Sequence, residues 1–378
     1  MFKRFLALFC CLLLFPSLSV SATQILKNPP PPSLSAESAV LIEARDGKIL
    51  CEKNAHERMA MASTTKIMTA LVAVERGKLD RVVSVSADAV GVEGSSIYLY
   101  AGEKMTLCDL LAAMLLESAN DAAAAIAIEV GGSIELFCNM MNEKAAELGL
   151  EDTNFKNPHG LYDEEHYTTA YELALIAKEV LKTEVIKKIV ATKKMTVEPI
   201  EGSIRVLYNH NKLLSMYEGA TGVKTGFTKK SGRCLVGSAM RDGLELITVT
   251  LNAPDDWNDH KCLFDFGFEN FSVIHIAKKG EVCYMQGIMG GEQQEIPLVY
   301  ENDLFLTVSK NNVDRIETRV ETFNRYEFAP VPIEKKAGRA IYLACGEVID
   351  EVPLVTGSAT NKVKSPDGIF AKILNFFK

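Results

Sequence analysis

The spacing of apolar positions changes character along the chain. Basic residues Lys3 and Arg4 precede an apolar run from Phe5 to Phe15, which closes on the small residues Val20-Ser21-Ala22. Two short apolar runs at 38–44 and 48–53 flank Arg45-Asp46-Gly47, a pattern that predicts a β-hairpin. From Ser63 the period becomes helical, with Ile67, Met68, Leu71 and Val72 on one face and Gly77 as the stop. Further helices are predicted from about Thr106 to Glu117, through the alanine-rich Ala122–Ala127, over 133–148 and over 169–182, the last with Thr168 as N-cap. The segments Ser118-Ala119-Asn120-Asp121 and Asn157-Pro158-His159-Gly160-Leu161 fall between helices. From Gly219 the period is two, giving strands at 220–227, 232–240 and 244–251, then a helix at about 256–268.

Beyond residue 275 the helical signal fades, and strand patterns recur at 303–309, 315–323, 338–344 and 347–355. The last stretch, Asp367 to Lys378, carries Ile369, Phe370, Ile373, Leu374 and Phe377 on one side. The economical packing is an α+β domain over 37–275, in which the hairpin and the three-strand meander share one antiparallel sheet covered by helices. A small all-β domain follows at 276–358, then a linker and amphipathic tail at 359–378.

The N-terminal pattern predicts a secretory signal peptide over 1–22, its apolar run being too short to span a bilayer. Residues 23–36, with Pro29 to Pro32 and several serines, read as a mobile leader. The chain of 378 residues is 48% hydrophobic and 24% charged, an ordinary globular balance. A net charge of −8 and no basic patch exclude nucleic acid as an expected partner. Cys51, Cys108, Cys138, Cys234, Cys262, Cys283 and Cys345 are odd in number and widely spaced, which suits small buried hydrophobes rather than a disulfide framework or zinc site. The histidines show no ligand spacing, so no metal and no cofactor is expected.

Ser63-Thr64-Thr65-Lys66 places a hydroxyl and an amine one helical turn apart, the minimum for a nucleophile and its base. Alone, the tetrad is weak. It is joined in order by Ser118-Ala119-Asn120 at a turn between helices and by Lys224-Thr225-Gly226 within a strand pattern. The three together match the Ser-x-x-Lys, Ser-Asp-Asn, Lys-Thr-Gly set of penicillin-binding proteins and class A β-lactamases. With Tyr208-Asn209-His210-Asn211, the Asn157–Leu161 loop and Phe227-Thr228, residues 37–275 resemble the low-molecular-mass penicillin-binding proteins of peptidase family S11, the D-alanyl-D-alanine carboxypeptidases. The β domain and tail are similar to that family's C-terminal parts.

The resemblance implies a serine β-lactamase/transpeptidase-like domain that attacks the terminal D-Ala-D-Ala bond of a peptidoglycan stem peptide and is trapped by β-lactams. Ser63 is then the nucleophile, Lys66 the general base and Ser118 a proton relay, with Asn120, Lys224, Thr225, Gly226 and Phe227 binding substrate. A free lysine, with a pKa of about 10.4, serves as a base at neutral pH only if shifted down by roughly 3 units, about 4 kcal/mol. Burial and a nearby cation both act that way, and Lys224 is the expected cation. Asn120 suits the substrate amide, Lys224 and Thr225 its terminal carboxylate, and Gly226 lets the substrate backbone approach closely. The backbone N–H groups of Ser63 and Phe227 are the implied oxyanion hole.

Two departures stand out. Ala119 replaces a common glycine, and the segment after the meander, Asp255-Asp256-Trp257-Asn258-Asp259-His260-Lys261, lacks the arginine that relatives use on the substrate carboxylate. The expected location is outside the cytoplasmic membrane, with 367–378 on its surface or docked on the chain's own β domain. Two rival functions remain at this point: a β-lactamase, for which Glu164 and Glu165 offer no Glu-x-x-x-Asn pattern, and a non-catalytic β-lactam or cell-wall sensing module.

Overall fold

A computed structural model describes residues 30–200, 202–311, 316–344 and 346–363. The expected signal peptide, the first half of the leader (23–29) and the amphipathic stretch lie outside the described residues. The hairpin forms as β1 (Ser38–Glu43) and β2 (Ile49–Lys53). A 3₁₀ turn, Ala62–Thr65, leads into α1 (Lys66–Arg76). A small hairpin, β3 (Val82–Ser84) with β4 (Lys104–Thr106), precedes α2 (Leu107–Leu116), α3 (Asn120–Gly131) and α4 (Ile134–Glu147). Then come α5 (Ala170–Val180), α6 (Glu184–Ala191), the hairpin β5 (Lys194–Val197) with β6 (Arg205–Tyr208), and the single turn α7 (Leu213–Met216). The meander β7 (Ala220–Thr228), β8 (Gly232–Arg241) and β9 (Leu244–Leu251) runs into α8 (Asp256–Asn270).

The meander and the first hairpin join in one antiparallel sheet of order β2-β1-β9-β8-β7, as expected. Alternation along β1 divides the core. Val40 and Ile42 pack with α1, α2, α3 and α5, whereas Ala39 and Leu41 pack with Leu263 and Phe264 of α8 on the other face. α3 is buried on every side over Asn120–Ala127, and its alanines let α1, α2 and α4 approach it closely. The caps are local chemistry: Thr106 Oγ1 accepts from Asp109 N at 3.1 Å and Ser133 Oγ from Leu136 N at 3.1 Å.

Three expectations need correction. The cap of α5 is Thr169, whose hydroxyl accepts from Glu172 N at 3.1 Å. Thr168 instead exchanges backbone hydrogen bonds with Met59 and shares a hydroxyl contact with Thr153. The end of the leader is held, not mobile: Ser35 N and Oγ and Ala36 N all donate to the carboxylate of buried Asp259, at 2.8 Å each. The boundary expected after residue 275 falls inside a strand. β10 (Phe271–Ala277) pairs with β13 (Leu304–Ser309), so the all-β part begins at Phe271.

That part also contains β11 (Val282–Met289), β12 (Glu295–Tyr300), β14 (Ile316–Thr322), β15 (Glu327–Phe328), β16 (Lys336–Ala344) and β17 (Glu347–Thr356), in a six-stranded sheet of order β14-β16-β17-β12-β11-β15. Leu298, Leu306, Val308, Ala340, Tyr342 and Leu354 form its core. The six described cysteines are unpaired, three of them buried and three partly exposed. Among the described residues no single helix is long and apolar enough to cross a membrane, and no group of side chains could hold a metal ion.

Candidate active site

The turn at Ala62–Thr65 is stabilised by its own threonines. Thr64 Oγ1 donates to Met61 O at 2.5 Å and Thr65 Oγ1 to Ala62 O at 2.8 Å, while Thr65 Oγ1 also meets His166 Nε2 at 2.8 Å. Those bonds bury two of the three consecutive hydroxyls and leave that of Ser63 facing a cleft. Ala62, just before it, has φ of +48°, a left-handed conformation costly for alanine.

Lys66 is wholly buried at the start of α1. Its Nζ donates to Ser63 Oγ at 2.9 Å, Asn120 Oδ1 at 2.6 Å and the carbonyl of His159 at 2.7 Å. Two of these partners are pure acceptors, so each demands an N–H. A neutral amine has two N–H groups and one lone pair, and the lone pair is then directed at Ser63. Burial, first, and the Lys224 charge, second, hold the Lys66 pKa well below the ordinary lysine value; Asp121 opposes them. Both expected causes are present, and desolvation is the larger.

Lys224 is also buried, donates to Thr225 O at 2.9 Å, and is lowered by burial to about 7. Its amine thus sits beside Thr225, one of the cleft-lining residues. Asn120 has a structural task as well. Its Oδ1 is taken by Lys66 and its Nδ2 donates to Glu93 O, so it holds the base in place and has one amide hydrogen left for a substrate. Asp121, next in sequence, accepts from Ser96 Oγ at 2.6 Å and Leu99 N at 3.0 Å and so fixes the loop bearing Ser95.

The cleft has a volume of about 300 Å³, and Ser63, Ser118, Thr225, Gly226, Phe227 and Arg233 are among the residues that line it. Ser118 sits at φ +60°, a strained turn between α2 and α3 that presents its side chain to the cleft. Among the described residues it has no hydrogen bond to Lys66. β7 is the edge strand, so its outer backbone groups are free to pair with an extended peptide. Gly226 has a structural reason beside the one expected. A Cβ there would stand 3.0 Å from Ser63 N and 3.1 Å from Thr64 N, so its bareness clears the nucleophile's own backbone. Phe227 is 65% exposed at the cleft rim.

Sequence reasoning missed Arg233 on β8, which the sheet register places opposite Phe227. The acidic segment after the meander explains itself around it. Asp256 binds Arg233, Asp259 holds Ser35, and buried His260 lies between the hydroxyls of Thr248 and Thr250. The missed signal was the i, j pairing of two strands already recognised.

Comparison with known proteins gives the same assignment to both parts of the chain. A family model described as D-alanyl-D-alanine carboxypeptidase matches residues 25–255, and one for the penicillin-binding protein 5 C-terminal domain matches 271–362. The D-alanyl-D-alanine carboxypeptidase DacF of Bacillus subtilis is 36% identical over 84% of this chain and 84% of its own length. Among solved structures, penicillin binding protein 5 from Haemophilus influenzae is 28% identical with a TM-score of 0.75, covering 88% of this chain and 100% of its own. PBP3 of Streptococcus pneumoniae, described as a peptidoglycan synthesis regulatory factor, is 26% identical with a TM-score of 0.73, at 88% and 100% coverage. Family models that together reach from residue 25 to residue 362 place this chain in the D-alanyl-D-alanine carboxypeptidase family of serine hydrolases.

Proposed function

We propose that the chain removes the terminal D-alanine from peptidoglycan stem pentapeptides through an acyl-enzyme on Ser63. The observation that carries this is the three-way clamp on Lys66 Nζ, which directs the lone pair of the neutral amine at Ser63 Oγ 2.9 Å away. Lys66 accepts the Ser63 proton as Oγ attacks the carbonyl of the penultimate D-alanine. The backbone N–H groups of Ser63 and Phe227 receive the oxyanion, and the bare Gly226 between them keeps that space open. Ser118 relays that proton from Lys66 to the departing amine, which leaves Lys66 neutral again. D-Alanine leaves, and water, activated by the same base, releases the shortened peptide. The substrate lies along the free edge of β7, with Thr225 beside its C-terminus.

β-Lactams acylate the same serine, because their strained amide occupies the place of the scissile bond. The enzyme acts outside the cytoplasmic membrane after export, with residues 367–378 contacting its outer surface. Penicillin should label the wild type covalently, and purified enzyme should release D-alanine from a diacetylated Lys-D-Ala-D-Ala peptide. Undiminished labelling of Ser63→Ala would reject the assignment. Glu165, paired with Lys156 at 2.8 Å, is not among the described cleft-lining residues, and the one carboxylate that is, Asp256, is taken up by Arg233. An acyl-enzyme lifetime of minutes or longer is therefore expected.

A further inference from the structure

A peptide ending in D-Ala-D-Ala brings a carboxylate into the cleft, one residue beyond the bond that is cut. Lys224, the expected partner, is buried and its amine donates to Thr225 O. One guanidinium does line the cleft. Arg233 projects from β8 directly opposite Phe227, on the same wall as Thr225 and Gly226, and its side chain is 42% exposed.

Its geometry is fixed from behind. Nε and Nη2 both reach Asp256 Oδ1, at 3.0 and 2.9 Å, and the guanidinium lies over the Trp257 ring at 5.7 Å. Asp256 is itself buried, and its Oδ1 also accepts from Trp257 N at 2.9 Å. Both donors to Asp256 converge on one oxygen. That uses one edge of the planar fork and leaves the Nη1 hydrogens without a partner among the described residues. A guanidinium held by a buried carboxylate and an indole, with its unused donors at a cleft wall, is a preorganised carboxylate receptor.

We propose that Arg233 binds the C-terminal carboxylate of the substrate, and that Asp256 and Trp257 position it to do so. It rests on the carboxypeptidase reading above, but assigns the carboxylate to a strand residue of the meander rather than to the segment after it. Arg233 contacts substrate without entering bond making or breaking. Its effect is specificity for a free C-terminus.

The test compares two substrates that differ only there: diacetyl-Lys-D-Ala-D-Ala and its C-terminal carboxamide. Wild-type release of D-alanine from the first tests the carboxypeptidase reading itself. In Arg233→Gln, kcat/KM for the carboxylate should fall about 10- to 100-fold, mainly through KM, while the amide changes little. Arg233→Lys, which keeps the charge and loses the fork, should recover part of the loss. Acylation by benzylpenicillin and by its methyl ester gives the same ratio independently of turnover, and serves if either variant is too unstable for steady-state assay. Equal losses on the free and blocked members of each pair, or no loss on either, overturn the proposal.

Discussion

Gly160 lies directly against the carbonyl of Ala62: a methyl on Gly160 would stand 1.9 Å from Ala62 O and 2.9 Å from Ser63 N. The loop whose His159 carbonyl clamps Lys66 thus also forms the floor of the nucleophile turn. Gly160 has φ of +89°, so alanine there is strained as well as obstructed. Gly160→Ala should cost on the order of 3 kcal/mol and abolish penicillin labelling. Denaturant unfolding and gel fluorescence with a labelled penicillin measure the two effects, and a variant that folds and labels normally would show that the turn is not supported from this side.

The buried lysines make the enzyme sensitive to pH in a defined direction. Acylation requires neutral Lys66, so its rate falls as pH drops through the lowered Lys66 pKa. Lys224 lowers that pKa, so Lys224→Met should move the acid limb to higher pH. Asp121 raises it, so Asp121→Asn should move the limb to lower pH, with some loss of stability from the loop it fixes. Penicillin acylation rates across pH 5 to about 9 separate the two. An unshifted limb in Lys224→Met would remove Lys224 from the electrostatics of the base.

The same burial acts on folding. The folded-state pKa of Lys224 is about 7, below its unfolded value, so between them the unfolded chain binds the extra proton. Stability therefore rises as pH climbs from about 7 towards about 10.4. Lys224→Met should flatten that rise, and urea midpoints at pH 7 and about pH 9.5 measure it. An equal rise in both proteins would mean that Lys224 is not desolvated on folding.

The order of the catalytic motifs and the sheet that unites them were legible because each depends on short-range pattern: turn signals, period-two strands, a serine and lysine one turn apart. What was not legible depends on pairing between distant segments. α6 was missed because its apolar residues, Val185, Ile186, Ile189 and Val190, fill only two turns. β12 was missed because Pro297 interrupts it, opposite Met285. Thr168 and Thr169 offer the same cap chemistry one residue apart, and the bridge to Met59, 109 positions away, decides between them. Arg233 became visible only when the register of β7 and β8 set it across from Phe227.

The buried pair of Glu103 and Arg205 should be a stability determinant separate from catalysis. Glu103 is wholly buried between β3 and β4, and Arg205 Nη2 donates to its Oε2 at 3.0 Å. Arg205 Nε also donates to Ile97 O at 3.2 Å. Removing the cation strands the carboxylate, so Arg205→Ala should lose about 3–5 kcal/mol in urea unfolding. Replacing both partners by apolar residues of similar volume should recover most of it. A single-variant loss below about 1 kcal/mol would indicate that water reaches Glu103 when Arg205 is gone.

Gly226 offers the sharpest separation of chemistry from folding. It sits in regular strand geometry, so alanine costs little in backbone conformation. The added Cβ would meet Ser63 N at 3.0 Å, Thr64 N at 3.1 Å and Ala62 Cβ at 3.2 Å. These contacts are tight without being prohibitive, and relief requires the nucleophile turn to move by a few tenths of an ångström. The atom displaced is the Ser63 N–H, one of the two proposed oxyanion donors. Loss of one such donor costs about 10²–10³ in rate. Gly226→Ala should therefore acylate about 10²-fold more slowly, with a thermal midpoint within a few degrees of wild type. The penalty should fall on kcat and on the penicillin acylation rate rather than on KM, because the oxyanion forms only as Ser63 attacks. A variant that loses affinity for peptide while acylating at the wild-type rate would return Gly226 to the role first expected, room for the substrate backbone.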